Sequence, residues 1–148
     1  MKTTIFRKPL SFFVCIVLIT AMALTAIGCN DNKTSQFSYS TTVVDDGAVI
    51  GEGATQFALE MVDGEGKVTA VTVKTDKATV GEALLDLKLI AGDFEQYGLY
   101  IKSVNGIYAD YEKTGTYWAF YIDGEYAMSG VDTTDVVEGA TYALKVEK

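Results

Sequence analysis

The sequence predicts an α+β domain in which one amphipathic helix packs on one face of a mixed β-sheet. Segments 56–62 and 68–73 are rich in strand-forming residues, and the turn-forming run 63–66 joins them into a hairpin. A helical pattern follows near residue 79, and the rest of the chain divides into short strand-like segments separated by turns. A hairpin, one helix and several further strands, in that order, are typical of the α+β class.

The predicted helix begins with a capping box. The Thr79 hydroxyl can accept a hydrogen bond from the backbone three residues on, and Glu82 can reach back toward Thr79. Apolar residues recur at helical spacing, at positions 80, 84 and 87, and this stripe is expected to cover the sheet. The pair at 91–92, alanine then glycine, is expected to end the helix.

Turn signals divide the remainder into strands. Strand 99–104 is followed by Asn105-Gly106, a strong hairpin signal, and 107–111 is its expected partner. A turn at 113–115 precedes strand 116–122, and an Asx-Gly turn leads into 125–128. Segment 141–146 is the closing strand, and Val49-Ile50 can add a peripheral one.

Strand 116–122 is predicted to have two different faces, because side chains alternate along a strand. One face is wholly apolar and is predicted to be core; it carries Trp118, Phe120 and Ile122. The opposite face carries Tyr117, Ala119 and Tyr121, and Tyr100, Tyr108 or Tyr126 can join it from other strands. Two interpretations stay open for these tyrosines: a stacking surface for a flat ligand, or cross-strand packing that stabilises an exposed sheet.

The N-terminus has the layout of a secretory signal peptide over residues 1–28. A basic start with no acidic residue precedes an apolar run over 12–19 that continues toward Ile27, and the small Gly28 ends it. The alternative is an uncleaved transmembrane helix, which needs roughly 20 apolar residues. Both interpretations place the remainder of the chain outside the cytoplasm.

Cys29 is the predicted lipidation site. The sequence Ala26-Ile27-Gly28-Cys29 resembles a bacterial lipobox, although alanine stands where leucine is preferred. Polar residues begin directly afterwards, so residues 29–54 are predicted to form a flexible tether and 55–148 the folded domain. The other cysteine is Cys15, in the apolar run, so the domain has no internal disulfide.

Charge and composition exclude several functions. The first 28 residues contain three of the 12 basic residues and none of the 20 acidic ones, which leaves a net charge of −11 on residues 29–148. Such a charge disfavours nucleic acid and anionic lipid surfaces as partners. The chain has no histidine, and no free thiol or phosphate-binding glycine loop is evident, so we expect a protein that is not an enzyme. Neither Asp45-Asp46 nor the pair Asp132 and Asp135 matches a calcium loop, so no metal is expected.

From Gly98 onward the chain resembles the transcobalamin-like C-terminal domain family. The residues that carry the resemblance are Tyr117-Trp118 before the Asp123-Gly124 turn, and the final Glu138-Gly139-Ala140-Thr141-Tyr142. The resemblance covers about residues 55–148. It implies a β-grasp (ubiquitin-like) sheet with the helix across it and the closing strand at its centre.

The same resemblance implies a function. In vitamin B12 carriers this module closes over the corrin, opposite a large helical domain, and in bacteria it also occurs in surface lipoproteins. A ligand edge is therefore expected near the Tyr117-Trp118 strand, and the candidate ligand-binding residues are Tyr100, Tyr117, Tyr121, Tyr126, Met128 and Ser129. Without the resemblance, Met128 is more typical of a core filler.

The sequence thus favours a non-enzymatic, membrane-anchored lipoprotein that binds a small ligand. No cofactor is assigned; cobalamin or another corrinoid is the candidate ligand, with a transporter or other surface protein as a candidate partner. The alternative is an interaction module that contacts another surface protein or a glycan through its tyrosines.

Overall fold

A computed structural model describes residues 39–148. The predictions of a signal peptide at 1–28 and of lipidation at Cys29 lie outside the described residues, as do residues 30–38 of the tether predicted over 29–54. Among residues 39–148, no helix combines the length and the apolar character needed to cross a membrane.

The described part contains nine strands, two α-helices and one 3-10 turn. In chain order these are β1 (Val49–Gly51), β2 (Thr55–Val62), β3 (Val68–Thr75), α1 (Val80–Asp86), β4 (Ile90–Glu95), β5 (Gly98–Val104), β6 (Ile107–Tyr108), α2 (Tyr111–Thr114), β7 (Tyr117–Ile122), β8 (Glu125–Tyr126), the 3-10 turn Val131–Thr133 and β9 (Thr141–Glu147).

Six strands form the main sheet, in the order β1-β3-β2-β9-β7-β8. The hairpin β2–β3 is antiparallel, whereas β9 runs parallel to β2 and antiparallel to β7. The closing strand therefore lies between the first hairpin and the tyrosine-bearing strand. This arrangement, with one helix of seven residues beside a mixed sheet, confirms the predicted α+β class and has the strand order of a β-grasp.

The helix α1 begins as the sequence predicts. The Thr79 hydroxyl accepts a hydrogen bond from the Glu82 amide at 3.2 Å, and the Glu82 carboxylate accepts from the Thr79 amide at 3.4 Å. Its inner face is fully buried at Val80 and Leu84, which belong to one apolar core with residues of both sheets. The core is completed from the central strands by Leu59, Val73, Tyr142 and Leu144.

The helix ends earlier than predicted. Its last residue is Asp86, and Lys88 adopts a left-handed conformation (φ 56°) with its amide bonded to the Leu85 carbonyl. Gly92 instead lies in β4, at an irregularity opposite β5, where an added Cβ would collide with the Tyr100 carbonyl oxygen. The glycine therefore permits close approach of two strands, and the prediction that it ends a helix was wrong.

A second sheet of three strands, in the order β4-β5-β6, was not predicted as a separate unit. The Asn105-Gly106 turn joins β5 to β6 as expected, with Asn105 at φ 50° and Gly106 at φ 81°. The partner strand is shorter than the predicted 107–111, because Asp110 caps the short helix α2 that follows. The predicted turn at 113–115 is the end of this helix, where Gly115 takes a left-handed conformation.

The segment before β2 contacts the domain. The Thr42 amide donates to the Lys88 carbonyl at 2.7 Å, and the Val44 amide donates to Asn105 Oδ1 at 2.7 Å. The expected peripheral strand is present as β1, which pairs with β3 in parallel. The domain boundaries stay a prediction, but residues 39–54 of the predicted tether pack against the folded part.

Candidate functional site

The tyrosine-bearing strand has the two faces that its sequence predicts. Trp118 and Phe120 are 7% and 8% exposed and belong to the core, and Ile122 packs against it. Tyr117 and Tyr121 lie on the opposite face and are partly exposed. The outer face of β7 therefore presents tyrosine rings to solvent, supported from behind by a packed core.

One carboxylate holds both of these tyrosines. Glu147 of β9 pairs with Tyr117 in the sheet, and its Oε2 accepts the Tyr117 hydroxyl at 3.2 Å. The Tyr121 hydroxyl donates to Oε1 of the same residue. Tyr121 lies four residues from Tyr117 along β7, so one carboxylate bridges the two ends of this face. Ala119, between the two tyrosines on the same face, is buried.

The shared carboxylate keeps the two phenols protonated. The pKa of Tyr121 is raised to about 12. The largest cause is the hydrogen bond to Glu147, and burial and the negative charge of Glu147 add to it. The pKa of Tyr117 is raised as well, by burial first and then by its bond to Glu147. Each phenol already donates its one O–H to Glu147, so it offers a ligand a ring face for stacking and a hydroxyl oxygen that can accept a hydrogen bond. Phenols held neutral are poor candidates for proton transfer near pH 7.

Two more rings extend this surface. Tyr126 of β8 lies opposite Tyr121, with ring centroids 5.5 Å apart at 82°, and Tyr111 of α2 meets Tyr117 at 6.4 Å and 70°. Tyr126 and Tyr111 are 57% and 60% exposed respectively. We call Tyr111, Tyr117, Tyr121 and Tyr126 the tyrosine row.

The row also has a charged neighbour. The Lys145 ammonium lies 4.4 Å from the centroid of the Tyr121 ring, within cation–π distance. Lys145 stands opposite Ala119 on the neighbouring strand, so it lies on the same outer face. Together with Glu147 it gives the aromatic surface one fixed positive and one fixed negative group.

The predicted ligand-binding residues are only partly brought together. Tyr117, Tyr121 and Tyr126 share the row, whereas Tyr100 lies on β5 in the second sheet. The Tyr100 hydroxyl nevertheless accepts a hydrogen bond from the Tyr111 amide at 3.1 Å, so Tyr100 adjoins one end of the row. The sequence did not predict that Tyr111 belongs to the row, because its position depends on the short helix α2. A helix of four residues has no periodic pattern from which it could be predicted.

Met128 and Ser129 follow the row on the loop after β8. The Met128 side chain is 98% exposed, so it is no core filler. Ser129 Oγ lies 2.9 Å from Thr134 Oγ1. Both residues follow Tyr126 closely in the chain, but the structure does not bring them into the row.

A second polar cluster surrounds Lys102 on the three-stranded sheet. Its ammonium lies 3.0 Å from Asp93 Oδ2 and 3.5 Å from Asp110 Oδ2. The Asp110 side chain is only 4% exposed, accepts the Tyr108 hydroxyl at 2.9 Å and caps α2 through the Glu112 amide. Burial raises the pKa of Asp110, but the bond from Tyr108 and the charge of Lys102 outweigh it, and the net pKa is lowered.

Metal-binding residues do not cluster in the described part. Across residues 39–148 there is no group of three or more histidine, cysteine, aspartate or glutamate side chains placed to hold an ion. Asp46 and Asp132 belong to the two aspartate pairs that the sequence offered as calcium ligands. Asp46 accepts the Ala70 amide at 2.8 Å, and Asp132 has one buried carboxylate oxygen without a hydrogen-bond partner.

Comparison with known proteins supports the fold and leaves the function open. Residues 78–148 match the model of a family described as a domain of unknown function, DUF4430. A crystal structure from Ruminococcus gnavus ATCC 29149, of a protein suggested to bind metal, is similar at a TM-score of 0.60 and 25% identity, over 64% of this chain and 98% of that one. A crystal structure of haptocorrin in complex with Cbi shows 20% identity and a TM-score of 0.48 over 67% of this chain, and the chain spans 26% of its length. No curated protein matches the chain by sequence.

Proposed function

We propose that the domain is a non-enzymatic ligand-binding module of an extracytoplasmic lipoprotein, and that it recognises a flat ligand through the tyrosine row. The observation that carries the proposal is the pair Tyr117 and Tyr121, whose rings lie at the surface while Glu147 holds both hydroxyls. Fixed rings lose little conformational freedom when a ligand stacks on them, so their contact area is available for binding.

The dimensions of the surface suit a ligand larger than one ring. Tyr117 and Tyr121 are four residues apart on a strand, so their backbones are separated by about 13 Å. The exposed rings of Tyr111 and Tyr126 meet these two rings edge to face, so they border the surface and can contact the rim of a ligand. A macrocycle or a short oligosaccharide has a flat face of this extent, whereas a single small ring would use only part of it.

Charge narrows the ligand class further. Residues 29–148 carry a net charge of −11, which repels polyanions and favours neutral or cationic ligands. Cobalamin and other corrinoids combine a broad macrocycle with amide-bearing edges, which the tyrosine hydroxyls and Lys145 can meet. The resemblance of residues 117–124 and 138–142 to the transcobalamin-like family makes a corrinoid the first ligand to test.

The location outside the cytoplasm rests on the N-terminal sequence. A basic start, an apolar run and the Gly28-Cys29 junction support export, cleavage and lipid attachment. Two or more acyl chains suffice for stable anchoring. Mass spectrometry of the membrane fraction should find an acylated N-terminus at Cys29, and Cys29→Ala should release the protein from the membrane; a product that keeps Met1 would overturn this part.

Equilibrium dialysis of the full chain with cobalamin and cobinamide tests the ligand. Replacing both Tyr117 and Tyr121 with alanine removes two stacked rings, each contributing on the order of 1 kcal/mol, so binding should weaken by roughly tenfold or more. Tyr97→Ala is the matched control, since Tyr97 is 94% exposed and lies outside the row. If the double variant and the Tyr97→Ala control bound corrinoid equally, the tyrosine row would not be part of the binding site.

A surface-interaction function remains the second candidate, favoured by the strong exposure of Tyr111, Tyr126 and Met128. If neither corrinoid binds, pull-down of cell-wall glycan or envelope proteins by the wild-type chain should be lost in the same double variant. Retention of the melting temperature in that variant separates lost recognition from lost folding.

A further inference from the structure

Tyr39, from the segment before the domain, closes the polar cluster around Lys102. Its hydroxyl donates to Asp93 Oδ2 at 2.6 Å, and the Lys102 ammonium lies 5.3 Å from the centroid of its ring. Its ring also lies 6.0 Å from that of Tyr108, tilted by 33°. A carboxylate, an ammonium and an aromatic neighbour therefore contact three different parts of one phenol.

The groups around this phenol are held in place without it. Lys102, whose side chain is 14% exposed, is fixed by both Asp93 and Asp110. Its ammonium also lies 5.5 Å from the centroid of the Tyr100 ring. Tyr108 is anchored by its own bond to Asp110. We call Asp93, Tyr100, Lys102 and Tyr108 the phenol box.

We propose that the phenol box is a binding site for a tyrosine-like phenol, which Tyr39 occupies from within the same chain and which an external phenol can occupy when Tyr39 leaves. The hydroxyl acceptor on Asp93 distinguishes a phenol from a plain aromatic ring, because a charge-assisted hydrogen bond forms only with the hydroxyl. The ammonium of Lys102 selects an aromatic face over an aliphatic group. This inference does not depend on the proposed function, since none of the four residues belongs to the tyrosine row.

The position of Tyr39 makes exchange feasible. The Asp93 side chain is 47% exposed, so the carboxylate that accepts the Tyr39 hydroxyl is not enclosed by the fold. The contacts that hold the neighbouring segment include the Gly106 amide bonded to Thr41 Oγ1 at 2.6 Å and the Val44 amide bonded to Asn105. They lie on the β5–β6 turn rather than in the box, so Tyr39 can leave while they persist.

Chemical rescue tests the proposal on the full chain. In Tyr39→Ala, para-cresol replaces the missing side chain, and NMR should show saturable shifts at the Tyr100 and Tyr108 rings. In the wild-type chain the site is already filled, so binding should be weaker by about tenfold or more, as expected for competition with a hydrogen bond to a charged group. Toluene, which has the ring without the hydroxyl, should bind Tyr39→Ala about tenfold more weakly than para-cresol.

Three further variants test the hydroxyl acceptor and the role of the Tyr39 hydroxyl. Asp93→Ala, added to Tyr39→Ala, removes the acceptor and should abolish the preference for para-cresol over toluene. Asp86→Ala should leave that preference, since Asp86 of α1 is an exposed carboxylate paired with Lys77. Tyr39→Phe keeps the ring but loses the hydroxyl, so it should admit para-cresol better than the wild type does. Three results would each overturn the proposal. The wild type and both Tyr39 variants could bind para-cresol equally, Tyr39→Ala could bind toluene as tightly as para-cresol, or neither Tyr39 variant could bind para-cresol.

Discussion

Replacing Asp110 with alanine should destabilise the domain far more than replacing an exposed aspartate. Asp110 combines three contacts at a side chain that is 4% exposed: the Lys102 ammonium at 3.5 Å, the Tyr108 hydroxyl at 2.9 Å and the Glu112 amide at 3.2 Å. Breaking a buried ion pair by removing one partner costs roughly 3–5 kcal/mol. Lys102 retains Asp93 at 3.0 Å, which favours the lower end of that range.

The other two contacts add to the loss. Tyr108 keeps a hydroxyl without its acceptor, and α2 loses its N-cap, which typically contributes about 1 kcal/mol. We therefore expect Asp110→Ala to lower the free energy of unfolding by about 4 kcal/mol. In a domain of roughly 100 residues, 1 kcal/mol corresponds to a Tm change of about 4–8 °C, so Tm should fall by roughly 16–32 °C.

Urea and thermal unfolding followed by circular dichroism measure this loss. Asp110→Asn keeps an oxygen that can accept from Tyr108 and cap α2 while removing the charge, so its loss should be smaller. Asp86→Ala is the matched control, because Asp86 also pairs with a lysine at 3.5 Å but is 62% exposed, and its loss should stay within about 0.5 kcal/mol. If Asp110→Ala lost no more than Asp86→Ala, the three contacts would not stabilise the fold as argued.

Three more predictions follow from single contacts. Glu147→Gln should lower the Tyr121 pKa from about 12 toward 10 in an NMR titration. In the wild type, the bond between the Tyr121 phenol and Glu147 stabilises the fold below pH 10, and this stabilisation is lost as the pH rises through 12. An unchanged Tyr121 titration in the variant would refute the shared carboxylate. Leu59→Ala, at a fully buried position of the central sheet, should cost about 2–5 kcal/mol in urea unfolding, and a loss below about 1 kcal/mol would contradict its place in the core. Gly92→Ala places a methyl group against the Tyr100 carbonyl and should weaken hydrogen-exchange protection in β4 and β5; unchanged protection would show that the strands can separate without loss.

The parts of the fold that the sequence predicted well are set by local chemistry. The capping box at Thr79, the Asn105-Gly106 turn and the alternation along 116–122 each depend on a few neighbouring residues, and each is present in the structure. The helix end at Asp86 was missed because a lysine, Lys88, takes the left-handed conformation that glycine usually supplies.

The site was harder to predict, because it depends on contacts between distant residues. Strand periodicity placed Tyr117 and Tyr121 on one face, but nothing local shows that Glu147, 26 residues beyond Tyr121, holds both hydroxyls. Tyr39 and Asp93 are 54 residues apart, and the tether composition around Tyr39 gave no sign of their hydrogen bond. The alternation of side chains along the strand thus predicted which way the rings face, and only the tertiary structure shows which carboxylates hold their hydroxyls.

Tyrosine has a recurrent role in this domain that follows from its charge. Lysines are few beside the acidic residues and histidine is absent, so ammonium and imidazole groups cannot satisfy every carboxylate. Phenols supply further partners, in four hydrogen bonds to three carboxylates: Tyr39 to Asp93, Tyr108 to Asp110, and both Tyr117 and Tyr121 to Glu147. Each bond stabilises the ionised carboxylate and the neutral phenol together, which raises the pKa of the phenol. Because each hydroxyl is held, the attached ring stays ordered at or near the surface, and the same chemistry that compensates an acidic domain also leaves its aromatic rings preorganised for stacking.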